Sequence, residues 1–224
     1  MFSSTFRNDL LKLIFNATAI ANLADNAGSS PLANLYLSLH TADPGASGDQ
    51  TTNEVAYTGY ARVAVARSGA GWVVTGNSVS PAANVDFPKM TAGSAGTAYY
   101  AAIGTAASGT GKVIARAVLG TVLGACTGKA SNDTFTIPGS SLQVNDQVAF
   151  QPTPGAVGVG ISAGTVYYVK TASGADITIS TTPGGATLDT LVDTPALAFK
   201  IVTPIAYAAG VIPRLETGSV LTLL

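Results

Sequence analysis

The only histidine of the chain, His40, stands two residues after Ser38 and three before Asp43. Serine, histidine and aspartate make a nucleophilic triad when the imidazole meets the hydroxyl in a set direction and a third group orients the ring. Residues two apart on a strand share a face, which makes Ser38 and His40 neighbours without that directed arrangement. His40 therefore reads as a polar strand-end residue hydrogen-bonded to the turn that follows it. Asp43, Asp49 and Glu54 fall in one loop, but a calcium loop needs closely alternating ligands closed by a glutamate. They read as a solvated loop, and Asp133, Asp146, Asp176, Asp189 and Asp193 as turn residues that bond their local backbone. The run Gly104 to Lys112 ends in Gly-Lys like a phosphate loop. That motif needs a glycine where Ala106 stands, a hydroxyl residue where Val113 stands, and a helix after it. The run is expected to be a hairpin turn. The one cysteine, Cys126, has no partner for an internal disulfide and no Cys/His set around it for zinc. It is expected to be a small buried apolar residue. No catalytic, cofactor-binding or metal-ligating residue is assigned, and the chain is expected to be no enzyme and to carry no cofactor.

Six of the eight tyrosines stand out: Tyr57, Tyr60 and the adjacent pairs Tyr99-Tyr100 and Tyr167-Tyr168. Adjacent side chains on a strand face opposite ways. One ring of each pair can pack inside while the other lies outside. Core and subunit contact is preferred here over sugar stacking.

Composition narrows the partners. Eleven Lys+Arg against twelve Asp+Glu leave a net charge of −1, and only 10% of the 224 residues are charged, against about 25% in an ordinary soluble domain. Without a basic run, phosphate neutralisation has no footprint, and nucleic acid is not expected as a partner. A hydrophobic fraction of 47% argues against disorder of the whole chain. A weakly charged surface rich in Ala and Thr suits protein packed against protein, since soluble monomers hold their charge further from zero. The most apolar stretch, Val113 to Cys126, is too short to span a bilayer and contains Arg116. Arg7, Asp9 and Lys12 interrupt what would be the apolar part of a signal peptide. The expectation is a protein made in the cytoplasm, without membrane partner.

The elements that must position these residues are mostly strands. Phe6, Leu10, Leu13, Ile14, Ala17, Ile20, Ala21 and Ala24 recur at three and four, after N-cap candidates at Ser3 to Thr5, and predict one helix over 4–24. Leu35, Leu37 and Leu39 then alternate with Tyr36, Ser38 and His40 as a half-buried strand. The turn residues Thr41-Ala42-Asp43-Pro44-Gly45 close it. Further strands are predicted over 57–66, 71–79, 85–87, 97–103 and 112–119, at a spacing that argues for an antiparallel sandwich or barrel. From Thr127 to Phe199 the composition shifts to Gly, Thr, Pro and Asp. Strands are predicted there over 134–137, 147–150, 165–170 and 177–180, with a turn at Pro183-Gly184-Gly185. The last strands are predicted over 201–207 and 220–223. The expected fold is mainly β: an antiparallel β-sandwich or barrel with one N-terminal α-helix and an inserted small β-barrel-like domain. Its divisions are 1–119 for the core domain, 120–200 for the insert and 201–224 for strands returning to the core. Insertion at a hairpin tip adds little closure entropy.

The stretch Leu35-Tyr36-Leu37-Ser38-Leu39-His40-Thr41-Ala42-Asp43-Pro44-Gly45 is distinctive. So are Asn53-Glu54-Val55, Gly59-Tyr60-Ala61-Arg62-Val63, Asn84-Val85-Asp86-Phe87-Pro88 and Ala209-Gly210-Val211-Ile212-Pro213-Arg214. Together they resemble a family of small tailed-bacteriophage virion proteins described as tail-fibre-like, head-decoration or head-fibre proteins, over about 1–119 and 201–224. Residues 127–199 resemble a second phage module, an inserted β domain. The carriers are Leu142, Asp146 to Phe150, Ser162 to Val169 and Ser180 to Ala186. That module usually has glycine where Asn145 stands, and asparagine also tolerates a left-handed backbone.

The resemblance implies a structural virion protein without catalysis. The leading expectation is a capsid decoration or cement (minor head) protein, a homo-trimer binding the major capsid protein lattice. The alternative is a tail-fibre or baseplate component touching host receptor, and a glycan-binding or glycan-degrading surface protein comes third. No collagen-like period, heptad or long repeat points to an extended fibre.

Overall fold

The structure, a computed structural model, describes residues 4–19, 32–139, 141–151, 161–162, 165–189 and 194–222. It divides into two compact units, Met1–Ala117 with Ile205–Leu224, and Val118–Pro204. It is mainly β with antiparallel sheets, as the alternation and the recurrent turn residues require.

The first unit starts with α1 (Ser4–Phe15) and continues with β1 (Asn34–His40), β2 (Val63–Ala66), β3 (Trp72–Thr75), β4 (Ser78–Pro81), β5 (Val85–Asp86), β6 (Gly96–Ala98), β7 (Tyr100–Gly104) and β8 (Val113–Val118). The second holds β9 (Gly120–Lys129), β10 (Thr134–Thr136), β11 (Gln147–Gln151), β12 (Val166–Ser173), β13 (Asp176–Ser180) and β14 (Thr194–Val202). The chain then returns to the first unit with β15 (Ile205–Tyr207), β16 (Arg214–Leu215) and β17 (Leu221–Thr222).

Four strands of the first unit lie in the order β2-β1-β7-β8, three in the order β17-β4-β3, and two pairs join β15 to β6 and β16 to β5. Leu35, Leu37 and Leu39 are buried on one face of β1. The strand is not half-buried as its alternation predicts: Ser38 and His40, on the other face, are 0% exposed because the loop after β1 folds back over them. The predicted strand over 71–79 is a hairpin, β3 and β4, turning at Gly76 with φ +61. Glycine adopts that conformation without strain. Only Val63–Ala66 of the strand predicted over 57–66 is extended.

The helix also ends early. Leu11 and Phe15, one turn apart, bury their side chains, and the Phe15 ring meets Trp72 edge-on with centroids 4.8 Å apart. After Phe15 the backbone leaves the helix, with Ala17 at φ +54 and the Thr18 amide folded back to the Lys12 carbonyl. Arg67, in the turn between β2 and β3, donates from Nη2 to Leu13 O at 2.7 Å and from Nε to Ile14 O. A guanidinium on the last carbonyls supplies the hydrogen bonds another turn would have made and sits at the negative end of the helix dipole. Residues 20–24 of the predicted helix, and the turn predicted at Ser29-Ser30-Pro31, lie outside the described residues.

The second unit is a closed barrel in the order β10-β13-β12-β11-β14-β9. Phe135, Val148, Phe150, Tyr167, Val169, Ile177 and Ile179 fill it, with Cys126 at 1% exposure. Asn145 takes φ +73, the left-handed conformation that the resemblance assigns to its position. Of the tyrosine pairs, Tyr100 and Tyr167 are buried while Tyr99 and Tyr168 are half-buried. Of the residues read as turns or strand ends, Asp193 and Leu223 lie outside the described residues, as do Ala163 and Gly164 of the second resemblance.

Candidate functional site

The polar groups with any chemical capacity gather under β1, on the face away from its leucines. His40 ends the strand and forms an antiparallel bridge with Glu54. The chain between them, residues 41–53, loops out and returns. His40 Nδ1 lies 2.9 Å from the Thr52 carbonyl oxygen. A carbonyl only accepts, so Nδ1 carries the proton and Nε2 is left as an acceptor. The Ser38 hydroxyl lies 2.9 Å from Nε2 and donates to it, and its oxygen is also 3.4 Å from the Ala102 carbonyl. Burial holds the imidazole below its ordinary protonation range, against the opposing pull of the Thr52 carbonyl and of Glu54.

This is a serine–imidazole pair with the base in place, which reading along the strand did not provide for. Two features separate it from a working nucleophile. The ring is oriented by a backbone carbonyl, while Asp43, the expected third member, bonds the Gly45 amide at 2.9 Å and Arg116 Nε at 2.6 Å. Ser38 and His40 are also both 0% exposed, so no carbonyl carbon can approach Oγ. His40 does hydrogen-bond the following loop, but at Thr52, beyond the 41–45 turn.

A second layer fixes that loop. Glu54 receives Arg62 Nε on Oε1 and Nη2 on Oε2, both at 2.7 Å, a bidentate pair whose side chains are 16% and 2% exposed. The rest of the guanidinium reaches Ala106 O at 3.0 Å and Gly109 O at 2.9 Å. Tyr60 accepts the Leu39 amide at 2.9 Å and donates to Glu54 Oε1 at 3.2 Å, and its phenol is pushed up by burial. Gln50, 0% exposed, accepts the Ala106 amide at 3.0 Å through Oε1, and its backbone N–H donates to Gly111 O at 2.9 Å. Two of the three glycines of the phosphate-loop look-alike are thereby explained, while Gly109 is required by its φ of +69. A Cβ on Gly104 would come within 2.1 Å of the Gln50 side chain, and one on Gly111 within 2.0 Å. The run is the connection between β7 and β8, closed by Thr105 N to Lys112 O at 3.1 Å.

The acidic loop residues do not converge. Asp43 faces Arg116, and Glu54 faces Arg62. Asp49 accepts the Thr51 amide and hydroxyl at 2.8 and 2.6 Å, which hold its carboxyl below the usual range. No group of three metal-ligating side chains occurs among the described residues. In the second unit, Lys200 donates to Val118 O at 2.7 Å, and burial lowers its protonation range. The arrangement around His40 is thus a closed fastening: it ties the 41–55 loop and the 104–112 connection to β1. Sequence reasoning gave Gln50 and Arg67 no role, and it named Tyr60 and Arg62 without placing them in this cluster. The only signal for Gln50 was the pair of glycines seven apart that its side chain requires.

Fastening explains rigidity, and identity comes from comparison with known proteins. A family model described as Podophage GP4 fiber I protein gp80 matches residues 1–145. That match takes in the first unit up to β8 and runs past residue 119 into the barrel. No curated protein matches the chain.

Proposed function

The chain belongs to the Podophage GP4 fiber I protein gp80 family, fiber-type structural proteins of tailed-phage virions, with 145 of its 224 residues in the match, and from that premise we propose that it is a non-catalytic fiber subunit attached to the particle. The family match is the observation that carries this reading. The buried Ser38–His40 pair agrees with it, since the one nucleophile–base arrangement described above has no access for substrate. The first unit, fastened around β1, serves as the scaffold, and the closed barrel serves as a self-contained module borne on it. No helix among the described residues is long and apolar enough to cross a membrane.

Between capsid decoration and the tail side, we propose the tail side; the family match carries the fiber-type virion role that both readings share. The decoration reading, a homo-trimer on the major capsid protein, draws on the resemblance to head-decoration proteins and on the 10% charged residues. Copy number per particle by quantitative mass spectrometry separates the two. A fiber subunit is present in a few to a few dozen copies, and particles without it have normal heads and fail to adsorb. Hundreds of copies, with heads that release DNA at lower temperature, would return the protein to the capsid, because a ligand selective for the assembled lattice stabilises it.

A further inference from the structure

Arg67 gathers both ends of the N-terminal segment. Its guanidinium donates to Leu13 O and Ile14 O at the end of α1 and, through Nη1, to Leu32 O at 3.2 Å. Its amide donates to Ala33 O at 2.9 Å. One residue of the β2–β3 turn thus holds the carbonyls on which α1 stops and those on which the chain returns to β1. The helix itself packs on β3 and β4, with Leu11 and Phe15 as buried anchors and Asn8 Nδ2 bonded to Gly76 O. Two polar atoms are sealed at this seat without a partner among the described residues: Trp72 Nε1, whose ring meets Phe15, and Asn16 Oδ1, at the foot of the helix. Beneath β1, by contrast, the buried Ser38, His40, Gln50 and Arg62 side chains are all bonded. A buried donor or acceptor left unpaired is costly, and water restores its bond when the site opens.

We infer that α1 is a strap latched by Arg67, which opens and melts as one cooperative element while the sheets of the first unit stay folded. At 12 residues, α1 is of a length at which isolated helices are marginal in water, so it keeps its shape only while seated. Hydration of the indole N–H and of the Asn16 side-chain carbonyl offsets part of the apolar burial lost on opening. That places the helix at the low end of local stability, while β1, paired on both sides by β2 and β7, lies at the high end. The latch suits arginine in particular. A planar fork of donors reaches carbonyls on two separate stretches at once, which a compact ammonium does not. Opening bares Trp72 and frees Leu11 and Phe15 together, so a single motion turns a closed face of the first unit into an apolar one.

Native-state hydrogen exchange of the full chain, at urea concentrations below the unfolding transition, tests it. The amides of residues 8–16 are expected to share one protection factor, at least about a hundredfold below that of the β1 amides, with a shallower dependence on urea because less surface is exposed. Arg67→Met keeps the apolar stem and removes the fork. It is expected to lower the shared protection of α1 by about a further tenfold, to shift Trp72 emission to the red, and to leave β1 protection unchanged. Arg67→Lys keeps the charge on a single donor group and is expected to lower α1 protection by less. The lysine variant and the wild-type pattern decide the matter should the methionine variant fail to fold. Three results would overturn the inference: α1 protection equal to that of β1 in the wild type, protection that declines residue by residue from one end of the helix, as fraying gives, or an Arg67 variant that weakens α1 and β1 alike.

Discussion

Arg62 grips Glu54, eight residues before it in the chain, through two bonds of 2.7 Å, and both side chains are withdrawn from solvent. The same guanidinium holds two carbonyls of the 104–112 connection, so one side chain joins three segments that are distant in sequence. Removing one member of a buried pair strands the other charge. Arg62→Met is expected to destabilise the first unit by about 3–5 kcal/mol. The double change Arg62→Met with Glu54→Leu should cost less than the sum of the singles, because neither charge is left unpaired. Urea unfolding followed by fluorescence of Trp72, the only tryptophan, reads the first unit alone. Strictly additive effects would mean that the pair acts as two independent surface charges.

His40 gives the fold a dependence on pH. Burial lowers its folded-state pKa from 6.5, so the unfolded chain binds a proton more readily than the folded one. Stability therefore rises with pH between the lowered value and 6.5 and is lost as pH falls through that window, with a slope of at most about 1.4 kcal/mol per unit. Thermal melts between pH 7.5 and 5 should show this decline, and His40→Asn, which keeps a polar group of similar reach, should flatten it. An unchanged slope in the variant would move the effect to another group.

Gln50 and Gly111 are matched by shape. A Cβ at position 111 would come within 2.0 Å of Gln50 Oε1, which belongs to a residue 0% exposed and accepts the Ala106 amide. Gly111→Ala is expected to cost about 1–3 kcal/mol, the range for overpacking a filled site. In a Gln50→Ala background the tightest clash is gone while Ala106 Cβ stays 2.7 Å from the added methyl, so the further cost should fall without vanishing. Equal costs in the two backgrounds would show that backbone strain, and not the glutamine, dictates glycine there.

Much of this was legible in the chain. Leu35, Leu37 and Leu39 announce β1 because one face of that strand meets the core and the period is two. The cluster under β1 was not legible. That Ser38 and His40 would be sealed depends on where Thr52 and Gln50 return, and nothing local to His40 encodes the path of the loop. The helix was overextended because alanines at 17, 21 and 24 continue its spacing, while the group that ends it, Arg67, lies about fifty residues away. β9 and β14 escaped for another reason. Their pairing shifts register between Thr194 and Leu197 and between Phe199 and Lys200, and such bulges break the alternation by which a strand is read. The strand predicted over 201–207 is two strands, because Pro204, which cannot donate to a ladder, separates β14 from β15.

The barrel should be removable. Its first and last strands pair at their bases, with Gly120 opposite Val202 and the Thr203 amide bonded to Leu119 O at 3.0 Å. The chain therefore leaves and re-enters at neighbouring points, and a link of a few Gly and Ser residues in place of 120–202 can join Leu119 to Thr203. Closing so short a loop replaces a long one at little entropic expense. The barrel has its own core of Phe135, Phe150, Tyr167 and Ile179. The shortened protein is expected to keep the buried-tryptophan fluorescence of Trp72 and a cooperative melt, and the fragment 118–204 to show β circular dichroism by itself. A shortened chain that is unfolded, beside a fragment that folds, would mean that the first unit depends on the barrel. Failure of both would mean that the two units fold only as one.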